Sequence, residues 1–315
     1  MKTLIAVLLM AAICQVTYAA NTPGFKDFGF ITGNRYIILT EYEDSTWGKN
    51  DPYSIDGDDS GAYITLSDVK TTALPAGYAK LINQKVRIYT SEGFYISKIT
   101  ALKLYGVIRP GMGEPYEWNE LPSEKARAKA IFDRSLKYLV AEFESNKAET
   151  MYFATPLTKP EPKVLEPTDE VFTDTYLQKV TTALQATKSY KDAQLDYEQD
   201  NGKNAGKWWV DESSTEAFAS FEGNYATLAH SAGNPCSQNF SADRFSIWKL
   251  QGNRPILEHI SKGYYDTMLA VDIDNDNIPE FILENTGSSY MIIKKINGEW
   301  QTWYSWRILD TSCGC

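Results

Sequence analysis

The chain has 315 residues, a length that favours about two domains, and 43% of them are hydrophobic, which is typical of a folded protein rather than a disordered one. The net charge of −10 argues against a protein that binds nucleic acid through its phosphates or one that binds an anionic membrane surface, because both need a basic face.

Residues 1–20 have the pattern of a secretory signal peptide. Lys2 precedes an apolar run over residues 4–13, and small residues follow up to Ala19 and Ala20. The apolar run is shorter than the roughly 20 residues of a membrane-spanning helix, so we favour a signal peptide over an anchor. Cleavage after Ala19 or Ala20 would leave a secreted or periplasmic protein with no membrane insertion.

Three cysteines follow the predicted cleavage site: Cys236, Cys313 and Cys315. An oxidising compartment favours a disulfide from Cys236 to one of the two C-terminal cysteines, and the third thiol has no assigned role. The alternative is a soft metal such as copper(I) at residues 313–315, although no Met or His cluster accompanies them.

Residues 21–154 are predicted to form a β-rich module closed by one long helix. β-Branched and aromatic residues predict strands at 36–39, 63–66, 85–89 and 94–108, with a hairpin turn at 91–93 and an end at residues 109–111. Ser123 is the predicted helix cap. The helix is predicted from apolar residues at helical spacing: Ala126, Ala130, Phe132, Leu136, Leu139, Val140 and Phe143. A further strand is predicted at 149–154.

Residues 155–168 contain four prolines and are predicted to be an extended, solvated linker. Residues 169–315 then form the second predicted module, with a helix at 174–197 and an antiparallel β-meander. Its strands are predicted at 245–250, 268–271, 281–283, 290–293 and 300–306, with a hairpin turn at Asn297 and Gly298. The fold class expected is therefore α+β.

An acidic loop at residues 272–280 is the most informative site in the sequence. Asp272, Asp274 and Asp276 occupy alternating positions, which suits a hard cation that prefers six to eight oxygen ligands. The carbonyl of Ile278 and the side chain of Glu280 would complete the ligand set. We therefore predict a structural calcium site, with an acidic turn that binds no metal as the alternative.

The loop departs from the EF-hand, because Asn277 stands where that motif has Gly and Leu283 where it has the bidentate Glu. It resembles instead the Asp-x-Asp-x-Asp loops between strands of FG-GAP and VCBS-type secreted bacterial proteins, in which a Pro-Glu pair like Pro279 and Glu280 closes the loop. The resemblance covers about 20 residues. It implies calcium and a secreted bacterial context, as in uncharacterised secreted bacterial proteins, but no reaction.

Other candidate sites are weaker. Residues 56–59 form a second acidic run, more typical of a solvated turn than of a metal site. His230 and His259 are the only histidines and lie in no zinc or triad motif, although His230 is close in sequence to Cys236.

An aromatic stripe lies near the C-terminus. On a regular strand, Trp300, Thr302, Tyr304 and Trp306 share one face, which either stacks on sugar rings or, as we favour, packs in the core of a sheet.

No catalytic constellation is visible in the sequence. We therefore expect a calcium-stabilised binding or interaction module for an extracellular or envelope ligand that the sequence does not identify. The alternative is a secreted hydrolase acting on envelope or extracellular polysaccharide or peptide, suggested by the aromatic and acidic content.

Overall fold

A computed structural model describes residues 28–310, except for residues 43–46, 48–51, 53, 58–61, 91, 112–113, 146–150, 205, 211–213, 234–239, 253 and 286–288. The predicted signal peptide and all three cysteines of the predicted mature chain lie outside the described residues. Among the residues described, no helix combines the length and the apolar character needed to cross a membrane.

The structure is mainly β, with antiparallel sheets and a smaller helical part, which agrees in outline with the α+β prediction. The first strands are β1 (Gly29–Thr32), β2 (Tyr36–Glu41), β3 (Ser54–Gly57), β4 (Tyr63–Asp68), β5 (Lys85–Thr90), β6 (Gly93–Arg109), β7 (Leu136–Phe143), β8 (Met151–Pro156) and β9 (Lys163–Leu165). The later strands are β10 (Thr215–Phe221), β11 (Tyr225–Gly233), β12 (Ser241–Gln251), β13 (Arg254–Lys262), β14 (Asp266–Asp272), β15 (Glu280–Asn285), β16 (Ser289–Ile296), β17 (Glu299–Arg307) and β18 (Leu309–Asp310). The α-helices are α1 (Ala76–Ala79), α2 (Glu114–Asn119), α3 (Glu124–Arg134), α4 (Glu170–Gln185) and α5 (Lys188–Asn201).

The N-terminal strands close into a ring. Pairing runs from β6 through β5, β8, β1, β2 and β7 and returns to β6, and every one of these pairs is antiparallel. Ile37, Ile88, Leu104 and Leu139 belong to a single buried cluster contributed by strands around this ring. The ring therefore has its own apolar core, as a small β-barrel does.

The helix predicted to reach Phe143 is wrong in its second half. Ser123 caps α3 by accepting the N–H of Ala126 at 3.2 Å, as predicted, but the helix ends at Arg134. Residues 136–143 then pair with β2 on one side and β6 on the other. The apolar residues from Leu136 to Phe143 fit helical spacing and also a strand buried on both faces, and the available strand partners decide between the two.

Three sheets and a helical layer stack on one another. The sheet β9-β14-β15-β16-β17 packs Ile282 and Ile292 against the outside of the ring. Its other face packs Phe281 against the sheet β10-β11-β12-β13. The far side of that sheet carries Leu228 and packs against Val180 of α4. Each sheet thus buries the alternate side chains of its strands on opposite sides.

The proline-rich segment is not solvated throughout. Strand β8 ends within it at Pro156, β9 pairs with β14, and Leu165 is buried. Pro167 forms a bridge with Phe221 of β10. The domain boundary predicted here stays a prediction, but these contacts attach the segment to the sheets on both sides of it.

The single predicted helix at 174–197 is two helices, α4 and α5. Thr187 separates them and caps α5, because its hydroxyl accepts the N–H of Tyr190 at 3.4 Å. The predicted turn at Asn297 and Gly298 is confirmed: both have positive φ, 53° and 87°, and they join β16 to β17.

Candidate functional site

The acidic loop connects β14 to β15, two antiparallel strands in which Val271 pairs with Glu280. On its other side, β14 pairs with β9, where Asp272 lies opposite Lys163. The loop therefore begins at the end of a strand held by two neighbours. The predicted position between two strands is confirmed.

Asp272 organises the backbone of the loop. It is 4% exposed, and its two carboxylate oxygens each accept a backbone N–H at 3.0 Å, from Asp276 and from Asn277. Asn275 and Asn277 have φ values of 61° and 65°, in the left-handed region that Asn tolerates better than most residues. Asp276 in turn accepts the N–H of Ile278 at 2.8 Å. These bonds hold the loop in a tight turn.

The loop brings three of the predicted ligands together. One carboxylate oxygen from each of Asp272, Asp274 and Asp276 lies within 4.8 Å of the other two. Three hard oxygens at that spacing can contact one calcium ion, whose protein ligands lie at 2.3–2.6 Å. The remaining ligands would have to come from backbone carbonyls, as predicted for Ile278, or from water.

Glu280 is directed to other partners. It is 1% exposed; one carboxylate oxygen accepts the N–H of Ile273 at 2.7 Å and the other accepts Lys294 Nζ at 2.5 Å. Burial raises the pKa of Glu280 above its ordinary value, although Lys294 and the N–H of Ile273 oppose the rise. The structure thus places this predicted ligand at the base of the loop.

Lys294 belongs to the candidate site but was not predicted from the sequence. Its ammonium bonds Asp274 at 2.6 Å as well as Glu280, and lies 5.2 Å from the ring centroid of Trp303. Burial opposes the charge on Lys294, but the bonds to Asp274 and Glu280 outweigh it and raise the pKa. A signal was present in the sequence: Lys294 lies two residues after Ile292, on the buried face of a strand, where a lysine needs an acidic partner.

A cavity of about 470 Å³ adjoins the loop. Its lining includes Asp274 of the loop, Lys294 of β16, Trp303 of β17, and Pro160 and Pro162. The candidate site therefore consists of two adjacent parts, an acidic loop and a cavity that share Asp274.

The prediction that the aromatic stripe of β17 shares one face of the sheet is wrong. Ile292 of β16 pairs with Tyr304 of β17, but the next residue, Ile293, pairs with Thr302. Trp303 therefore has no partner in β16 and forms a β-bulge. Trp300 consequently packs towards the sheet β10-β11-β12-β13, whereas Tyr304 and Trp306 pack towards the ring. Trp300 and Trp306 are buried, as the core interpretation predicts.

The two histidines are separate from the loop. His230 is buried and bonded by Tyr190 on one ring nitrogen and by Glu216 on the other. Burial lowers the pKa of His259 on β13. Of the second acidic run, Asp56 and Gly57 lie in β3, while residues 58 and 59 lie outside the described residues.

No protein-family model matches the chain, and a comparison with curated proteins gives no match either.

Proposed function

We propose that the protein is a secreted or periplasmic binding module whose acidic loop is stabilised by calcium. The observation that carries the proposal is the convergence of Asp272, Asp274 and Asp276 within 4.8 Å. The signal-peptide pattern and the resemblance to Asp-x-Asp-x-Asp loops of secreted bacterial proteins support it from the sequence. Extracellular calcium concentrations suit a site of modest affinity.

The role of calcium would be to hold three chain segments together. Asn275 at the tip of the loop donates a hydrogen bond to the carbonyl of Glu161 at 3.2 Å, and the loop joins β14 to β15. A cation bound to the three aspartates would neutralise their mutual repulsion and fix these contacts. Binding would thereby stabilise the folded state by an amount that rises with the logarithm of the calcium concentration once the site is filled.

The hydrolase alternative receives less support. Hydrolysis of a glycoside needs two carboxylates on opposite sides of the scissile bond. Among the described residues that line the cavity, Asp274 is the one carboxylate, and it is paired with Lys294. This arrangement favours binding over acid–base chemistry.

The first test is thermal unfolding of the mature chain in EDTA and in millimolar calcium. We expect calcium to raise the melting temperature by roughly 2–3 °C, since calcium at about ten times its dissociation constant contributes about 1.4 kcal/mol. Asp276→Asn removes one charge, keeps an oxygen that can accept the N–H of Ile278, and should abolish most of the shift.

Asp196→Asn on the exposed side of α5 is the matched control, because it makes the same change of charge far along the chain from the loop. It should keep the full calcium response. A wild-type melting temperature that is the same in EDTA and in calcium would exclude the calcium site and leave a metal-free acidic turn.

A further inference from the structure

The cavity beside the acidic loop has the size and lining of a small-molecule site. Its volume of about 470 Å³ lies within the range of typical ligand pockets. Apolar surface comes from Trp303 and from the rings of Pro160 and Pro162. Flat, rigid apolar groups of this kind pack against a ligand ring with little loss of side-chain entropy.

A buried hydroxyl in the lining lacks a satisfactory partner. Thr155 is 1% exposed, and its Oγ1 makes no hydrogen bond of normal geometry with any described residue. The Thr155 hydroxyl interacts with the hydroxyl of Tyr89. That hydroxyl is also buried and also lacks a hydrogen bond of normal geometry to the described residues. Thr155 Oγ1 has less than 1 Å² exposed, so a ligand hydroxyl reaches it only after a small shift of the lining. It would then recover part of the roughly 1–3 kcal/mol that an unpaired buried hydroxyl costs.

The charges around the cavity cancel. Lys294 already bonds two carboxylates, Asp274 at 2.6 Å and Glu280 at 2.5 Å. An anionic ligand would lie against Asp274, and a cationic one would lie against Lys294 and Lys159, which also line the cavity. A neutral ligand with several hydroxyl groups avoids both repulsions and can use all of these groups as hydrogen-bond partners.

From these observations we infer that the cavity binds a pyranose ring of a neutral saccharide. One face of the ring packs on Trp303 and the prolines, while its hydroxyls bond Thr155, Asp274 and Lys294. The inference names the ligand class of the proposed binding module and rests on that proposal, but it does not require calcium to be bound.

The test is isothermal titration of the mature protein with cellotetraose, maltotetraose, xylotetraose and N-acetylated chitotetraose, with tetragalacturonate as an anionic comparator. We expect at least one neutral probe to bind and tetragalacturonate not to bind. Thr155→Val and Trp303→Ala should each weaken that binding by about tenfold or more.

The controls separate binding from folding. Thr155→Val removes a hydroxyl that has no good partner, so it should leave stability unchanged or raise it. Thr227→Val is its buried counterpart outside the cavity, where the hydroxyl bonds Thr267 at 2.8 Å. Trp209→Ala removes another half-buried tryptophan that lies beneath a lysine. Neither control should change saccharide binding.

Three results would overturn the inference: no neutral probe binds at millimolar concentration, tetragalacturonate alone binds, or binding is unchanged in both Thr155→Val and Trp303→Ala. Each titration is run in calcium and in EDTA beside the melting curves. A calcium shift without saccharide binding sinks this inference alone, whereas saccharide binding without a calcium shift sinks the calcium proposal alone.

Discussion

Two neighbouring lysines of β16 are held in similar ways on opposite faces of the sheet. Lys294 bonds Asp274 and Glu280 and lies over Trp303. Lys295 bonds Glu258 at 2.7 Å and lies 5.6 Å from the ring centroid of Trp300. Of these two lysines, Lys294 is the one that bonds a carboxylate of the acidic loop, where it would compete with the cation proposed above.

Replacing Lys294 should therefore strengthen calcium binding. Lys294→Met releases Asp274 and removes a positive charge next to the ion, a change on the order of 1 kcal/mol or about fivefold in affinity. Calcium titration by calorimetry measures it, with Lys295→Met as the control. Equal or weaker affinity in Lys294→Met would show that the ammonium does not compete with calcium.

At the residue scale, the acidic loop could be predicted from the sequence, because the spacing of its carboxylates and turn-forming asparagines specifies a local geometry. The partners of Lys294 could not, because Lys294 comes 14 residues after Glu280 in the chain and reaches it only across the pairing of β15 with β16.

At the scale of secondary-structure elements, local capping decides where α4 and α5 separate. The Thr187 hydroxyl donates to the carbonyl of Leu184 at 2.6 Å and accepts the N–H of Tyr190. The hydroxyl thereby satisfies a backbone carbonyl at the end of α4 and a backbone N–H at the start of α5.

Thr187→Ala should lower the free energy of unfolding by about 1 kcal/mol, in the usual range for loss of an N-cap. The control is Thr182→Ala on the exposed side of α4, where alanine has the higher helix propensity and should be neutral or slightly stabilising. Urea unfolding followed by circular dichroism measures both. Equal stabilities of the two variants would mean that the cap contributes nothing.

The two errors at this scale have one cause. Residues 136–143 form a strand because β2 and β6 pair with both of its edges, and the face of Trp300 is set by the bulge at Trp303. In each case an apolar pattern is compatible with two local structures, and partners distant in the chain select one. A shift of a single residue moves the following side chains to the other side of a sheet.

At the scale of the whole molecule, Tyr138 connects the ring to the C-terminal sheet. Its hydroxyl donates to the carbonyl of Arg307 at 2.8 Å and accepts the N–H of the same residue at 3.2 Å. Burial raises the pKa of Tyr138 to about 12 from an ordinary value of 10.0.

Tyr138→Phe should lower the free energy of unfolding by about 1–3 kcal/mol, because it leaves backbone groups of Arg307 without their partner. The sign of the pH dependence follows from the raised pKa: the stabilisation is fully present below pH 10 and is lost as pH rises through about 12. The difference in the free energy of unfolding between wild type and Tyr138→Phe should therefore shrink as the pH rises from 10 to about 12.

Denaturant unfolding at a series of alkaline pH values measures this, with Tyr63→Phe on β4 as the control. A deficit that stayed constant through pH 12 would show that ionisation of Tyr138 is not coupled to folding.

Several features were determined by the sequence alone: the predominance of strands, the Asn297–Gly298 hairpin, the cap at Ser123 and the acidic loop. All of them depend on neighbouring residues. The tertiary structure alone decided the closure of the ring, the strand at 136–143, the place of Lys294 and the cavity beside Trp303. These features depend on pairing and packing between residues far apart in the chain, and a local pattern of residue types does not encode which distant strand becomes the neighbour.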